Sequence, residues 1–193
     1  SVTIGKDVTS IGKEAFYACY HLAEVYNLSS INIIKGSSEN GYVGRYALYV
    51  YTDKNATSKL TRENDFVIHT DDNVKTLVGY FGDKTEITIP DNVNGIKNYA
   101  FVDCSSLTNV TIPNSVTSIE DYAFSGCRNL TSITIGNSVT SIGDSAFSGC
   151  PIKTATMPTT AISSIPKAYL NTVVINGGES IRNGAFPYCT SLT

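Results

Sequence analysis

Around Val110 the chain changes its hydrophobic period within one short run. Val110 and Ile112 are apolar on either side of Thr111, the spacing of two that puts Thr111 on the other face of a strand. Pro113 has no N–H for further pairing and ends that strand. After a turn at Asn114 and Ser115 the apolar positions become Ile119, Ala123, Cys127 and Leu130. Those steps of 4, 4 and 3 predict one face of a short helix. Ser118 with Asp121, and Ser141 with Asp144, read as capping pairs, and Gly126 and Gly149 as helix ends. The predicted order is strand, turn, and a brief helical or 3₁₀ return.

The same order recurs along the chain. Phe101, Phe124 and Phe147 fall 23 residues apart, and so do Cys104, Cys127 and Cys150. A fixed period of this size marks stacked supersecondary units. One unit has too few apolar side chains to close a core, so each copy must cover its neighbour's apolar face and strand edge. Equivalent residues of successive units are therefore expected in one column inside a shared interior. The expected fold is an α/β solenoid with a parallel sheet along one side, spanning residues 1–193 as a single domain.

Leu107-x-x-Val110-x-Ile112-Pro113, Val116-Thr117-Ser118-Ile119 and Ala123-Phe124-x-x-Cys127-x-x-Leu130 resemble the BspA-type leucine-rich repeat, also called the Treponema pallidum class. A first copy runs from Val2 to Leu22 and a last from Val173 to Leu192, the latter one residue short before Phe186. The resemblance implies a right-handed superhelix of short parallel strands and short helical or 3₁₀ returns. It also implies a bacterial cell-surface or secreted protein used in adhesion to host matrix proteins, other cells or glycans. A protist origin stays open on the same ground.

Between Leu28 and Lys84 the template is lost, and residues 35–84 read as a degenerate repeat or β-meander insertion. Gly41 to Ala47 predicts a helical turn. Leu48 to Tyr51, Phe66 to His69 and Thr76 to Tyr80 predict short strands of an antiparallel meander, with Asp71-Asp72-Asn73 as a turn. A milder irregularity follows Cys150, where the unit from Ala155 to Thr172 is only 18 residues long. It is expected to change local geometry without ending the stack.

Charge and composition remove several function classes. A net charge of −3 with no basic stripe argues against nucleic acid. No run of 18 apolar residues exists to span a membrane. The chain opens inside a repeat at Ser1 and stops inside another at Thr193, which predicts a piece of a longer array. The five cysteines share one repeat position, so they read as small buried hydrophobes, with an oxidised neighbour pair such as Cys104–Cys127 left open. Only His21 and His69 exist, and neither a zinc set nor a Ser-His-Asp constellation is expected. Glu120 and Asp121 read as a solvated face, and Asp71 and Asp72 as turn formers. Asn27, Asn55, Asn109 and Asn129 begin glycosylation sequons that this composition produces by chance. No catalytic residue, metal or cofactor is predicted.

Two surfaces remain as binding candidates. Thr108, Asn109 and Thr111 in one unit, and Thr131, Ser132 and Thr134 in the next, are outward strand positions that form polar ladders. Tyr42, Tyr46, Tyr49 and Tyr51 are the rival, because exposed tyrosine offers contact area with a polar handle. The expected function is a non-enzymatic module that binds extracellular proteins or glycans. The alternative is a structural spacer that presents another domain.

Overall fold

The computed structural model describes residues 1–192, which fall into a first compact unit, Ser1–Lys59, and a second that begins at Leu60. In the first unit, strands β1 (Val2–Ile4), β2 (Glu24–Asn27) and β3 (Tyr49–Tyr51) lie parallel, with Val2, Val25 and Val50 in register. Ile4, Val25, Ile33, Val43 and Ala47 form its core. The segment after Leu28 therefore keeps a coil although its sequence has left the template. Tyr49–Tyr51 belongs to this coil sheet, which corrects its placement in an antiparallel meander. The expected helical turn at 41–47 is present only as a 3₁₀ segment, Asn40–Tyr42, and turns after it.

The second unit starts with the meander, made of β4 (Leu60–Glu63), β5 (Phe66–Asp71) and β6 (Val74–Tyr80). Asp72 and Asn73 both have positive φ, which a two-residue hairpin turn of matching twist requires. After the meander the coils contribute strands on two sides. β7 (Glu86–Thr88), β9 (Asn109–Ile112), β11 (Ser132–Ile135), β13 (Thr154–Pro158) and β14 (Thr172–Gly177) form a five-stranded parallel front sheet. β8 (Gly95–Ile96), β10 (Ser118–Ile119) and β12 (Ser141–Ile142) extend the meander in the order β12-β10-β8-β6-β5-β4. Ser118 and Ser141 thus sit in strands and do not cap helices.

The return segments hold no α-helix among the described residues. Left-handed residues recur four apart in five of the coils: Glu14 and Ala18, Tyr99 and Asp103, Tyr122 and Gly126, Ser145 and Gly149, Gly184 and Tyr188. A helix cannot pass through such positions, and only two of the ten in these pairs besides Gly184 are glycine. The reversals turn alternate N–H groups toward the next coil. Tyr99, Phe101 and Asp103 donate to the carbonyls of Asp121, Ala123 and Ser125 at 3.3, 2.7 and 2.9 Å. Tyr122, Phe124 and Gly126 do the same to Asp144, Ala146 and Ser148 at 3.0, 2.7 and 2.8 Å. What the sequence presents as a helical face is a third coil-to-coil ladder.

The shared interior follows the register. Phe101 and Phe124 stack with ring centroids 4.5 Å apart, and Phe124 and Phe147 with centroids 5.2 Å apart, all three rings fully buried. Tyr80 of the meander extends the column, 5.5 Å from Phe101. Beside it the thiol of Cys127 donates to the carbonyl of Phe101 at 3.1 Å, and that of Cys150 to Phe124 at 3.0 Å. All five cysteines are free thiols, so the Cys104–Cys127 pair is not joined. Burial, then the charge of Asp103, pushes Cys104 up to about 11, and the Cys150 thiol together with burial pushes Cys127 upward. The short coil after Ala155 stays in the stack. Its strand pairs with β14 through Ala155 and Val173, and Lys167 closes the loop by donating to the carbonyls of Ile162 and Ile165 at 2.6 and 3.2 Å.

Phe124→Ala should lower unfolding free energy by about 3–5 kcal/mol in urea titrations, because the neighbouring coils cannot collapse into the gap. Thiolate is the reactive form of cysteine, so a raised value means less of it near neutral pH. Native protein treated with a thiol reagent near pH 8 should label exposed Cys19, while Cys104 and Cys127 react only in strong alkali or after unfolding.

Candidate functional site

The front sheet of the second unit presents its outward residues in two in-register columns. One is Glu86, Asn109, Ser132, Thr154 and Thr172; the other is Thr88, Thr111, Thr134, Thr156 and Val174. Neighbours within a column are one strand spacing apart, about 4.8 Å. Asn109, Thr111, Ser132 and Thr134 all lie on this face, half-exposed. Thr108 and Thr131 lie just before the strands and serve the stack. Their hydroxyls donate to the carbonyls of Thr85 and Thr108 in the preceding coils, at 3.0 and 3.4 Å. The six residues thus divide into a four-residue face and two staples.

The four tyrosines also divide, and all of them lie in the first unit. Tyr42 and Tyr46 are on its return side, in edge contact with Tyr17 and Tyr20 at 5.3 and 5.2 Å. Tyr49 and Tyr51 project outward from β3, their rings 8° from parallel at 5.5 Å, and Tyr51 stacks on Tyr26 at 4.9 Å. Lys59 and Lys35 bring their ammonium groups to 4.7 and 5.8 Å from the Tyr49 ring centroid.

Glu24 holds this second group together, and the sequence gives no sign of it. The register pairs Glu24 with Tyr49 and Tyr26 with Tyr51. Alternation with core residue Val25 puts Glu24 on the outward face, yet only 1% of it is exposed. The chain after β3 folds back so that Ser58 and Lys59 reach Glu24. The carboxylate accepts hydrogen bonds from the Ser58 hydroxyl at 2.7 Å, the Lys59 backbone N–H at 2.8 Å, and the hydroxyls of Tyr51 and Tyr26 at 3.3 and 3.4 Å. Four donors offset the cost of burying a charge. Burial, and then the Glu24 charge, pushes the Tyr51 phenol up to about 12 and raises Tyr26 as well. Ser58 and Lys59 lie more than thirty positions away in the chain, too far for any local motif to announce them.

Other candidates resolve into structure. Glu120 pairs with Lys97, and the Asp121 carboxylate accepts the Asp144 N–H at 2.8 Å. Both border an open cleft of about 490 Å³ along β10 and β12, lined also by Asn98, Ser118, Ser141 and Gly143. Asn27 is buried and its amide donates to the carbonyl of Ile31 at 2.7 Å, which leaves no access for a glycan. Among the described residues no three His, Cys, Asp or Glu side chains gather as a metal set, and no helix is long and apolar enough to cross a membrane.

The sequence profile of the BspA type leucine rich repeat region matches residues 1–40 and 79–173, in six copies. No curated protein matches the sequence. A crystal structure of a leucine-rich repeat protein from Bacteroides capillosus is similar at 24% identity and a TM-score of 0.53, over 62% of this chain and 100% of that one. One from Eubacterium ventriosum is similar at 25% identity and a TM-score of 0.56, over 99% of this chain and 46% of that one. A leucine rich cell surface protein from Faecalibacterium prausnitzii is 19% identical with a TM-score of 0.51, over 99% of this chain and 62% of its own.

Glu24→Leu should cost about 1–3 kcal/mol in stability, since it leaves four part-buried donors without their acceptor. Limited proteolysis should then cut within residues 52–59 faster than in the parent protein.

Proposed function

The chain belongs to the BspA-type leucine-rich repeat family, and from that premise we propose that it is a non-enzymatic module that binds an extracellular protein or glycan across its front sheet. The observation that carries the reading is the pair of outward columns in the second unit, where most positions are uncharged and polar. Threonine and serine suit exposed strands, and a ladder of them across five strands offers an extended partner a repeated set of hydroxyls without deep desolvation. Solenoid proteins use such continuous surfaces for binding.

A surface or secreted setting, with adhesion as the biological use, is part of the same proposal. It is supported by the cell-surface description of the Faecalibacterium prausnitzii protein.

Solid-phase binding of the purified protein to a panel of matrix proteins and glycans tests the proposal. Saturable binding to at least one is expected, weakened about tenfold or more by Thr111→Lys with Thr134→Lys, equal to about 1.4 kcal/mol. Binding untouched by those changes would remove the front sheet from the interface. No saturable binding at all would leave the spacer reading.

A further inference from the structure

Two residue columns of the second unit step from large to small at the same coil. The register of β8, β10 and β12 puts Lys97, Glu120 and Gly143 in one column, and the return ladder puts Tyr99, Tyr122 and Ser145 in another. Tyr99 and Tyr122 stack with their rings 5° from parallel and centroids 5.3 Å apart. Ser145 brings no third ring. The face of Tyr122 turned away from Tyr99 is therefore left without an aromatic partner among the described residues, and 39% of the side chain is exposed. The backbone holds this ring in place: the Tyr122 N–H donates to the Asp144 carbonyl, and its carbonyl accepts the Ser125 N–H, both at 3.0 Å. The ring is oriented before any partner arrives.

Asn98, Asp121 and Asp144 form the column between these two. One Asp121 oxygen accepts the Asp144 N–H at 2.8 Å. Both aspartates are exposed, and among the described residues neither has an ion-pair partner. They stand one strand spacing apart, about 4.8 Å, so two like charges lie beside the open ring. Glu120 adds nothing to them, because Lys97 pairs with it and the Asn98 N–H donates to its other oxygen at 3.3 Å.

We propose that this corner docks an arginine side chain from an exposed segment of a protein partner. Its guanidinium takes the place of the missing third ring on Tyr122, and its N–H edge donates to Asp121 and Asp144. Charge complementarity selects a cation, and the shape selects arginine. A guanidinium is planar and permanently charged, and it can stack on an aromatic face while its edge bonds carboxylates. A lysine ammonium has no plane to continue the stack, and a neutral sugar would leave both charges unmatched. The corner is on another side of the coil from the threonine columns, so neither binding surface requires the other.

Fluorescence anisotropy of the whole protein with a labelled peptide of alternating glycine and arginine tests the proposal, beside its citrulline and lysine counterparts. Saturable binding of the arginine peptide is expected, weaker by about tenfold with citrulline, which keeps the shape and loses the charge. The lysine peptide should bind less tightly than the arginine one. Tyr122→Ser copies the following coil, and Asp121→Asn with Asp144→Asn copies Asn98; each should weaken binding about tenfold with the far-ultraviolet circular dichroism unchanged. Ser145→Tyr should fill the gap and also weaken it. A tyrosine can stand there, because Tyr99 and Tyr122 already adopt the same left-handed conformation as Ser145. Thr111→Lys with Thr134→Lys should leave this binding unchanged, which separates it from the front sheet. The proposal is overturned if citrulline binds as tightly, if Tyr122→Ser or Ser145→Tyr binds like the parent protein, or if no saturable binding occurs. A lysine peptide that binds as tightly would overturn it in favour of diffuse charge attraction.

Discussion

In the middle of the second unit, from β8 to β12, successive coils are held together by backbone hydrogen bonds on three sides, and the rest of that structure depends on those ladders. Two sides are ordinary parallel strands. The third is the return segment, where left-handed residues four apart send alternate N–H groups to the following coil. Once the backbones are in register, the side chains have no freedom to choose neighbours. Phenylalanine meets phenylalanine, cysteine meets the carbonyl before it, and threonine hydroxyls reach the preceding coil. Strain at non-glycine left-handed positions such as Tyr122 is tolerated because the N–H groups it redirects find partners.

The same constraint decides what the surfaces look like. A register that aligns identical core residues also aligns identical outward ones, so the front sheet of the second unit carries columns of hydroxyls. In the first unit the outward face follows the same alternation but holds Glu24, Tyr26, Tyr49 and Tyr51 in place of threonines. A buried acid there needs donors, and the chain after β3 returns across the sheet to supply them. One backbone plan thus supports a plain polar face and an aromatic one.

Degeneracy of sequence has been absorbed without loss of the coil. The family profile stops matching after residue 40, yet β3 still aligns with β2 through Val25 and Val50. The 18-residue unit after Ala155 still pairs with β14, with an irregularity confined to Met157 and Pro158. Tyr80, from an antiparallel strand, joins the phenylalanine column because β6 pairs in parallel with β8. Backbone pairing asks only for extended geometry and a free edge, which many sequences provide.

The amino-acid sequence by itself determined the repeat, the first strand of each unit and the interior column, because a fixed spacing of Phe101, Phe124 and Phe147 has one stacked solution. It also marked the turn at Asp72 and Asn73 and the outward position of Thr111 and Thr134. The tertiary structure decided the rest. Steps of 4, 4 and 3 describe a helical face, but the neighbouring coil claims the N–H groups that a helix would keep, so Ser118–Ile119 became a strand and the return a ladder. Glu24 gained its burial and its partners only when Ser58 and Lys59 crossed the sheet. Contacts at the repeat distance are written into the period; those made outside it depend on the path of the chain, which no local pattern encodes.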